Sequence, residues 1–211
     1  MRLHSWAPNC GIRFYLSYDQ SIGHHQHSVY EKIAERAEFC CLLLTQLNQD
    51  SCIDVHHEIF KDTHLVSYGR GYPRPVYVGS SPRIFMAHLP KAKILDYYQR
   101  FSAELGQVNF AKDEDDFLKQ MRKIKKQGYY FSNGDLDADI ASLSVPIHFS
   151  SKDAPYALLL LASKNRFEFI NLQKLIEILQ DNAQQIEKQV ETLNADLSLD
   201  VNSTLRGKIL N

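Results

Sequence analysis

Residues Asp113–Ser163 read DEDDFLKQMRKIKKQGYYFSNGDLDADIASLSVPIHFSSKDAPYALLLLAS, and this stretch decides the fold. Asp113, Glu114, Asp115 and Asp116 open it with carboxylates, which the positive end of a helix favours. Lys119, Arg122, Lys123, Lys125 and Lys126 crowd toward the negative end, and Gly128 stands as a stop. Phe117, Leu118, Met121 and Ile124 recur at helical spacing and give one apolar stripe. A strand is expected to start in Gly128-Tyr129-Tyr130-Phe131 and run into a polar loop. Ser142–Phe149 and Tyr156–Leu161 read as two buried strands joined by a turn.

Working outward, Ser28 is placed to cap a helix over Val29–Glu38, with Glu31 completing a capping box. Phe39–Leu47 reads as a buried strand, Asn48-Gln49-Asp50 as a hairpin turn and Cys52–Phe60 as the returning strand, with His64–Tyr68 a third. Glycines and prolines at 69, 71, 73 and 75 punctuate the chain before Val76-Tyr77-Val78. Helices follow over Arg83–His88, with Pro82 suited to a first turn, and over Lys91–Leu105, with Ile94, Leu95, Tyr98 and Phe101 as its stripe. From Arg166 to Leu193 a long helix is expected, because Leu172, Leu175, Ile176, Leu179, Ala183, Ile186, Val190 and Leu193 step by threes and fours. Hairpin strands with helices before, between and after them give an α+β class, an antiparallel sheet flanked by helices with a long C-terminal helix. Three segments follow: an N-terminal arm or linker over 1–27, one domain over 28–193 and a polar tail over 194–211.

Composition narrows the function. Lys plus Arg number 24 against 25 Asp plus Glu, a net charge of −1, so the basic footprint of a nucleic-acid binder is missing. No stretch is long enough for a membrane helix and the N-terminus lacks the apolar core of a signal peptide, which makes the cytoplasm the default. Cys10, Cys40, Cys41 and Cys52 lack CxxC spacing and read as small buried hydrophobes. No GxSxG, phosphate-binding glycine loop or nucleophile–base pair is present, so catalysis is not expected.

Three pieces in order carry a resemblance. YEKIAERAEFCCLLLTQLNQDSCIDVHHEI, RPVYVGSSPRIFMAHLP and EDDFLKQMRKIKKQGYYF, followed by ASLSVPI and PYALLLLAS, resemble the effector-binding domain of IclR-type bacterial transcriptional regulators. The resemblance spans roughly Ser28 to Leu193 and implies a GAF-like fold holding a small organic effector, carboxylic or aromatic, without enzymatic activity or a cofactor. It implies a homodimer or tetramer that meets DNA only through a winged helix-turn-helix, which residues 1–27 are too short to supply. Where the family usually has a glycine-containing turn with a lysine, this chain reads Ser80-Ser81-Pro82-Arg83.

The resemblance places the ligand under the 132–140 loop, on Ser80, Ser81, Ser132, Ile140, Ser142, Leu160 and Ala162. Ser80 and Ser81 would precede a helix N-terminus whose free N–H groups suit a carboxylate, so that no lysine or arginine is needed. The same residues have plain structural roles as an N-cap, strand fillers and core. Leu160 makes the pocket apolar and points to a ligand larger than a two-carbon acid. His24, His25 and His27 read as a solvated patch, and Asp135, Asp137 and Asp139 lack the glutamate that a calcium loop requires. Two other readings use the same scaffold: a redox or enzymatic sensor built on Cys40, Cys41 or Cys52, and a purely structural oligomerisation module.

Overall fold

Residues Cys41 to Thr45 are buried at every position, so the first strand has neighbours on both faces. It is β1 (Cys41–Asn48), paired with β2 (Ser51–Ile59) through a tight turn in which Gln49 adopts φ 51°. The computed structural model describes residues 41–59, 71–148 and 155–208, with side chains described up to 56 in β2 and up to 192 at the C-terminal end. The helix expected over 29–38, the strand over 64–68, the histidines at 24, 25 and 27, and Cys10 and Cys40 lie outside the described residues.

Six strands form one sheet in the order β3-β2-β1-β6-β5-β4, every neighbouring pair antiparallel. The others are β3 (Pro73–Pro75), β4 (Tyr130–Asn133), β5 (Ile140–Ile147) and β6 (Tyr156–Ser163). The α+β reading holds. Pro73–Pro75, among the punctuating residues, forms a short strand, and Val76-Tyr77-Val78 after it turns the chain. Proline lacks an N–H for the ladder and is tolerated at a sheet edge, where β3 lies. A buried ion pair ties this edge down. Arg74 Nη2 donates to Asp54 Oδ1 at 2.5 Å, and Thr45 Oγ1 donates to the same oxygen at 2.7 Å.

Three helices cover one face: α1 (Ser80–His88), α2 (Lys91–Gln107) and α3 (Glu114–Gln127). Their core joins Val76, Ile84, Phe85, Ile94, Tyr97, Leu105, Phe117, Met121 and Ile124 to Leu47, Cys52 and Ala157 of the sheet. Tyr97, absent from the expected stripe, is buried and donates its hydroxyl to the Gln49 carbonyl at 2.6 Å. On the other face lies α5 (Leu172–Lys208), after the short α4 (Lys164–Glu168). Leu175, Ile176, Leu179, Ala183 and Ile186 pack there with Phe167 on Leu143, Val145, Leu158, Leu160 and Ala162. The expected helix over 166–193 is broken before Leu172, and its second part runs to Lys208, beyond the end of the apolar pattern. The antiparallel sheet thus carries helices on both faces. The basic run of α3 is an exposed face: Lys119, Arg122, Lys123, Lys125 and Lys126 all meet solvent.

Candidate functional site

Side chains alternate across a strand, so the register assigns each expected site residue to a face. Ser132 of β4 lies opposite Ser142 of β5, and Tyr130 opposite Ser144. Ser80 Oγ lies 2.8 Å from Ser142 Oγ and 2.7 Å from Ser144 Oγ, and Ser81 Oγ lies 3.2 Å from Ser144 Oγ. These serines therefore face α1, and all of them are buried. Four hydroxyls in a protein interior are tolerated because each finds a hydroxyl partner. Ile140 shares the parity of Ser142 and begins β5 half-buried, with its carbonyl accepting from Gly134 N–H at 2.9 Å.

Leu160 and Ala162 are elsewhere. Leu160 pairs with Leu143 and Ala162 with Ala141, whose side chains alternate with the serines, and both belong to the core under α5. The expected set thus splits. Ser80, Ser81, Ser132, Ile140 and Ser142 share the α1 face, while Leu160 and Ala162 back the sheet from the other side.

A second correction concerns the helix start. Ser80 and Ser81 form the first turn of α1 rather than preceding it, and neither caps it. The N-cap is Gly79, at φ 94° and ψ 175°, with no side-chain cap and no acidic residue in the first turn. That backbone conformation is open essentially to glycine alone, so Asp or Ser cannot take the capping position without strain.

Arg83, three residues after Ser80 in the same turn, was not among the expected site residues. Its side chain is fully buried, at 0% exposure, and its guanidinium carbon stands 3.7 Å from the centroid of the Phe110 ring. Nε, Nη1 and Nη2 have no hydrogen-bond partner. Burial draws its pKa down to about 10, against the pull of Tyr130 and Asp135, which favour the charge without reaching hydrogen-bond geometry. The group is therefore a cation at neutral pH. Stacking on a desolvated ring returns about 2 kcal/mol, whereas withdrawing a cation from water costs several. Phe110 does not close that gap. A base in the first turn of a helix, where acids are expected, was the signal available in the sequence. Ser142 and Ser144, spaced two apart in an otherwise apolar strand, were another.

The 134–139 loop is a self-made turn. Asp139 N–H donates to Asp137 Oδ1 at 3.1 Å, and Ile140 N–H to the Asp137 carbonyl at 3.1 Å. Among the described residues no group of three or more His, Cys, Asp and Glu is placed to hold a metal ion. Cys41 and Cys52 are buried, and burial pushes the Cys52 thiol up to about 12, away from thiolate chemistry. No helix among the described residues is long and apolar enough to cross a membrane.

The family model for the C-terminal region of IclR bacterial transcriptional regulators matches residues 18–188. No curated protein matches the chain in sequence. Among solved structures, the fold is shared with the C-terminal domain of a protein assigned as a transcriptional regulator from Vibrio cholerae. Identity is 19%, the match covers 78% of this chain and 98% of that one, and the TM-score is 0.61. The inducer-binding domain of PobR from Acinetobacter, a double mutant in complex with 3-hydroxybenzoic acid, matches at 14% identity over 76% and 94% of the two chains, with a TM-score of 0.59. Pseudomonas aeruginosa HmgR matches at 15% identity over 77% and 63%, with a TM-score of 0.62.

Proposed function

Because this chain belongs to the family of IclR C-terminal domains of bacterial transcriptional regulators, we propose that it binds a small organic effector between α1 and the β4–β5 edge. The observation that carries this reading is the buried hydroxyl cluster of Ser80, Ser81, Ser142 and Ser144, continued by Ser132. Its hydrogen bonds run only among themselves, so a ligand with polar groups can exchange them one for one at little net cost. On this reading the ligand lies under the 132–140 loop, and Leu160 and Ala162 of β6 pack under α5 on the other face of the sheet.

The effector is a small carboxylic or aromatic molecule, the class to which the 3-hydroxybenzoic acid of the PobR complex belongs. Its binding favours one arrangement of the domain and so shifts a homodimer or tetramer equilibrium in the cytoplasm. DNA is met through a different domain, in keeping with the net charge of −1. The role is binding rather than catalysis. The buried Cys52 thiol, pushed up in pKa, speaks against a sensor built on Cys52.

A thermal-shift screen against aliphatic and aromatic acids tests this reading. One chemical class should raise the melting temperature with dose, and Ser142→Leu, which fills the α1 face, should abolish the response. A response that survives in Ser142→Leu would move the site elsewhere.

A further inference from the structure

At the start of α1 three things coincide that no neighbouring group resolves. The helix N-terminus carries about half a positive charge, and Gly79 gives it no side-chain cap. Its first turn holds no acid. Arg83 adds a full positive charge that is completely buried, with all three guanidinium nitrogens unpartnered. Asp135 is the acid that bears on it most, and it is not in ion-pair contact. The surroundings are otherwise neutral: Phe110 under the guanidinium, Tyr130 beside it, and Ser144 across the strand from Tyr130.

We propose that Arg83 is the charge-reading residue of this domain, an internal guanidinium whose missing partner is the carboxylate of the effector. The proposal rests on the effector-site reading above and sharpens it. The ligand's anionic end meets Arg83 and the open N-terminus of α1, and its remaining polar groups reach the serine hydroxyls. A planar carboxylate accepts two parallel N–H bonds from guanidinium, so geometry as well as charge is matched. The ring of Phe110 keeps the guanidinium in place before the ligand arrives. Neutral analogues of the same shape are rejected, because they would leave the cation as unpaired as they found it.

The test compares wild type with Arg83→Met in the full chain, first without ligand and then with matched acid and amide probes. The probes are 3-hydroxybenzoate with 3-hydroxybenzamide, and pyruvate with pyruvamide. Without ligand, Arg83→Met should melt at or above the wild-type temperature, since a buried unpaired charge is replaced by an apolar chain of similar length. A clearly lower melting temperature would show that the guanidinium is paired within the protein and overturns the proposal, whatever the probes return. In calorimetry an acid should bind wild type, its amide should bind at least tenfold more weakly, and Arg83→Met should lose about tenfold or more for the acid alone. An amide that binds as well as its acid, or an acid that binds both proteins alike, overturns the role of Arg83 and leaves the effector site standing. Binding of both acid and amide that persists in Ser142→Leu overturns the site itself.

Discussion

Helices α1 and α3 lie against each other and begin in opposite ways. At the start of α3, Asp113 sits in extended backbone and accepts from Asp116 N–H at 2.8 Å, with Glu114, Asp115 and Asp116 in the first turn. Its far end closes on Gly128 at φ 71°, with Lys125 and Lys126 in the last turn. Both ends of α3 are answered by its own sequence. At the start of α1 the cap is a glycine in a conformation that excludes side chains, the acids are missing and the charged residue is a buried base. A helix that satisfies its own ends is scaffolding. One that leaves a positive end and a cation unanswered inside the protein is where the effector seat is proposed.

The contrast can be broken at several points. The largest effect is expected at Phe117, which is fully buried in α3, packs on Tyr98 at a tilt and meets Phe110 edge to face. Phe117→Ala should cost about 3–5 kcal/mol in chemical denaturation and loosen the ring beneath Arg83 as well. A loss below 1 kcal/mol (roughly the scale of a surface change) would mean that the two helices are not mechanically joined. Next comes Gly79→Ala. The nearest atom to the added Cβ is Pro82 Cδ at 4.0 Å, so space is not limiting, and the expected loss of about 1–3 kcal/mol comes from φ alone. Neutral behaviour would refute the conformational reason for the missing cap.

Asp113→Ala should cost about 1 kcal/mol, the ordinary worth of an N-cap, and leave effector response unchanged because Asp113 lies outside the proposed site. A changed response would erase the distinction drawn here. The smallest effect concerns His88, at the other end of α1. Burial holds its pKa below the usual 6.5, with the Nδ1–H bond to the Ile84 carbonyl opposing and His148 and Lys125 adding to the depression. The unfolded chain then binds more protons than the folded one below that value, so stability falls as pH drops through 6.5. His88→Gln should flatten this acid limb in melting curves recorded between neutral pH and about pH 5. An unchanged slope would assign the acid loss to other groups.

The same contrast explains what could be read from the sequence. The α3 helix was legible almost to the residue, because caps, dipole charges and an apolar stripe are local signals carried by adjacent residues. The hairpin of β1 and β2 and the strands β5 and β6 were legible for the same reason. The site was legible only in part. Ser80, Ser81, Ser132, Ile140 and Ser142 do share a face, but Leu160 and Ala162 sit in a strand covered on both sides, whose run of leucines has no alternation to betray which face each residue takes. Only the register with β5 settles that, and register is a long-range property. Arg83 stood in the sequence as an anomaly of charge and gave no hint of its burial, which depends on Phe110, between α2 and α3, and Tyr130 of β4 closing on it.

The most direct measurement is a backbone amide NMR titration of the isotope-labelled chain with 3-hydroxybenzoate. We expect the Ser80, Ser81 and Arg83 amides to move together and to saturate, while Asp115, Asp116 and Phe117 at the start of α3 stay fixed. Saturable shifts that spare α1, or that appear equally at both helix starts, would contradict an effector seat at the open end of α1.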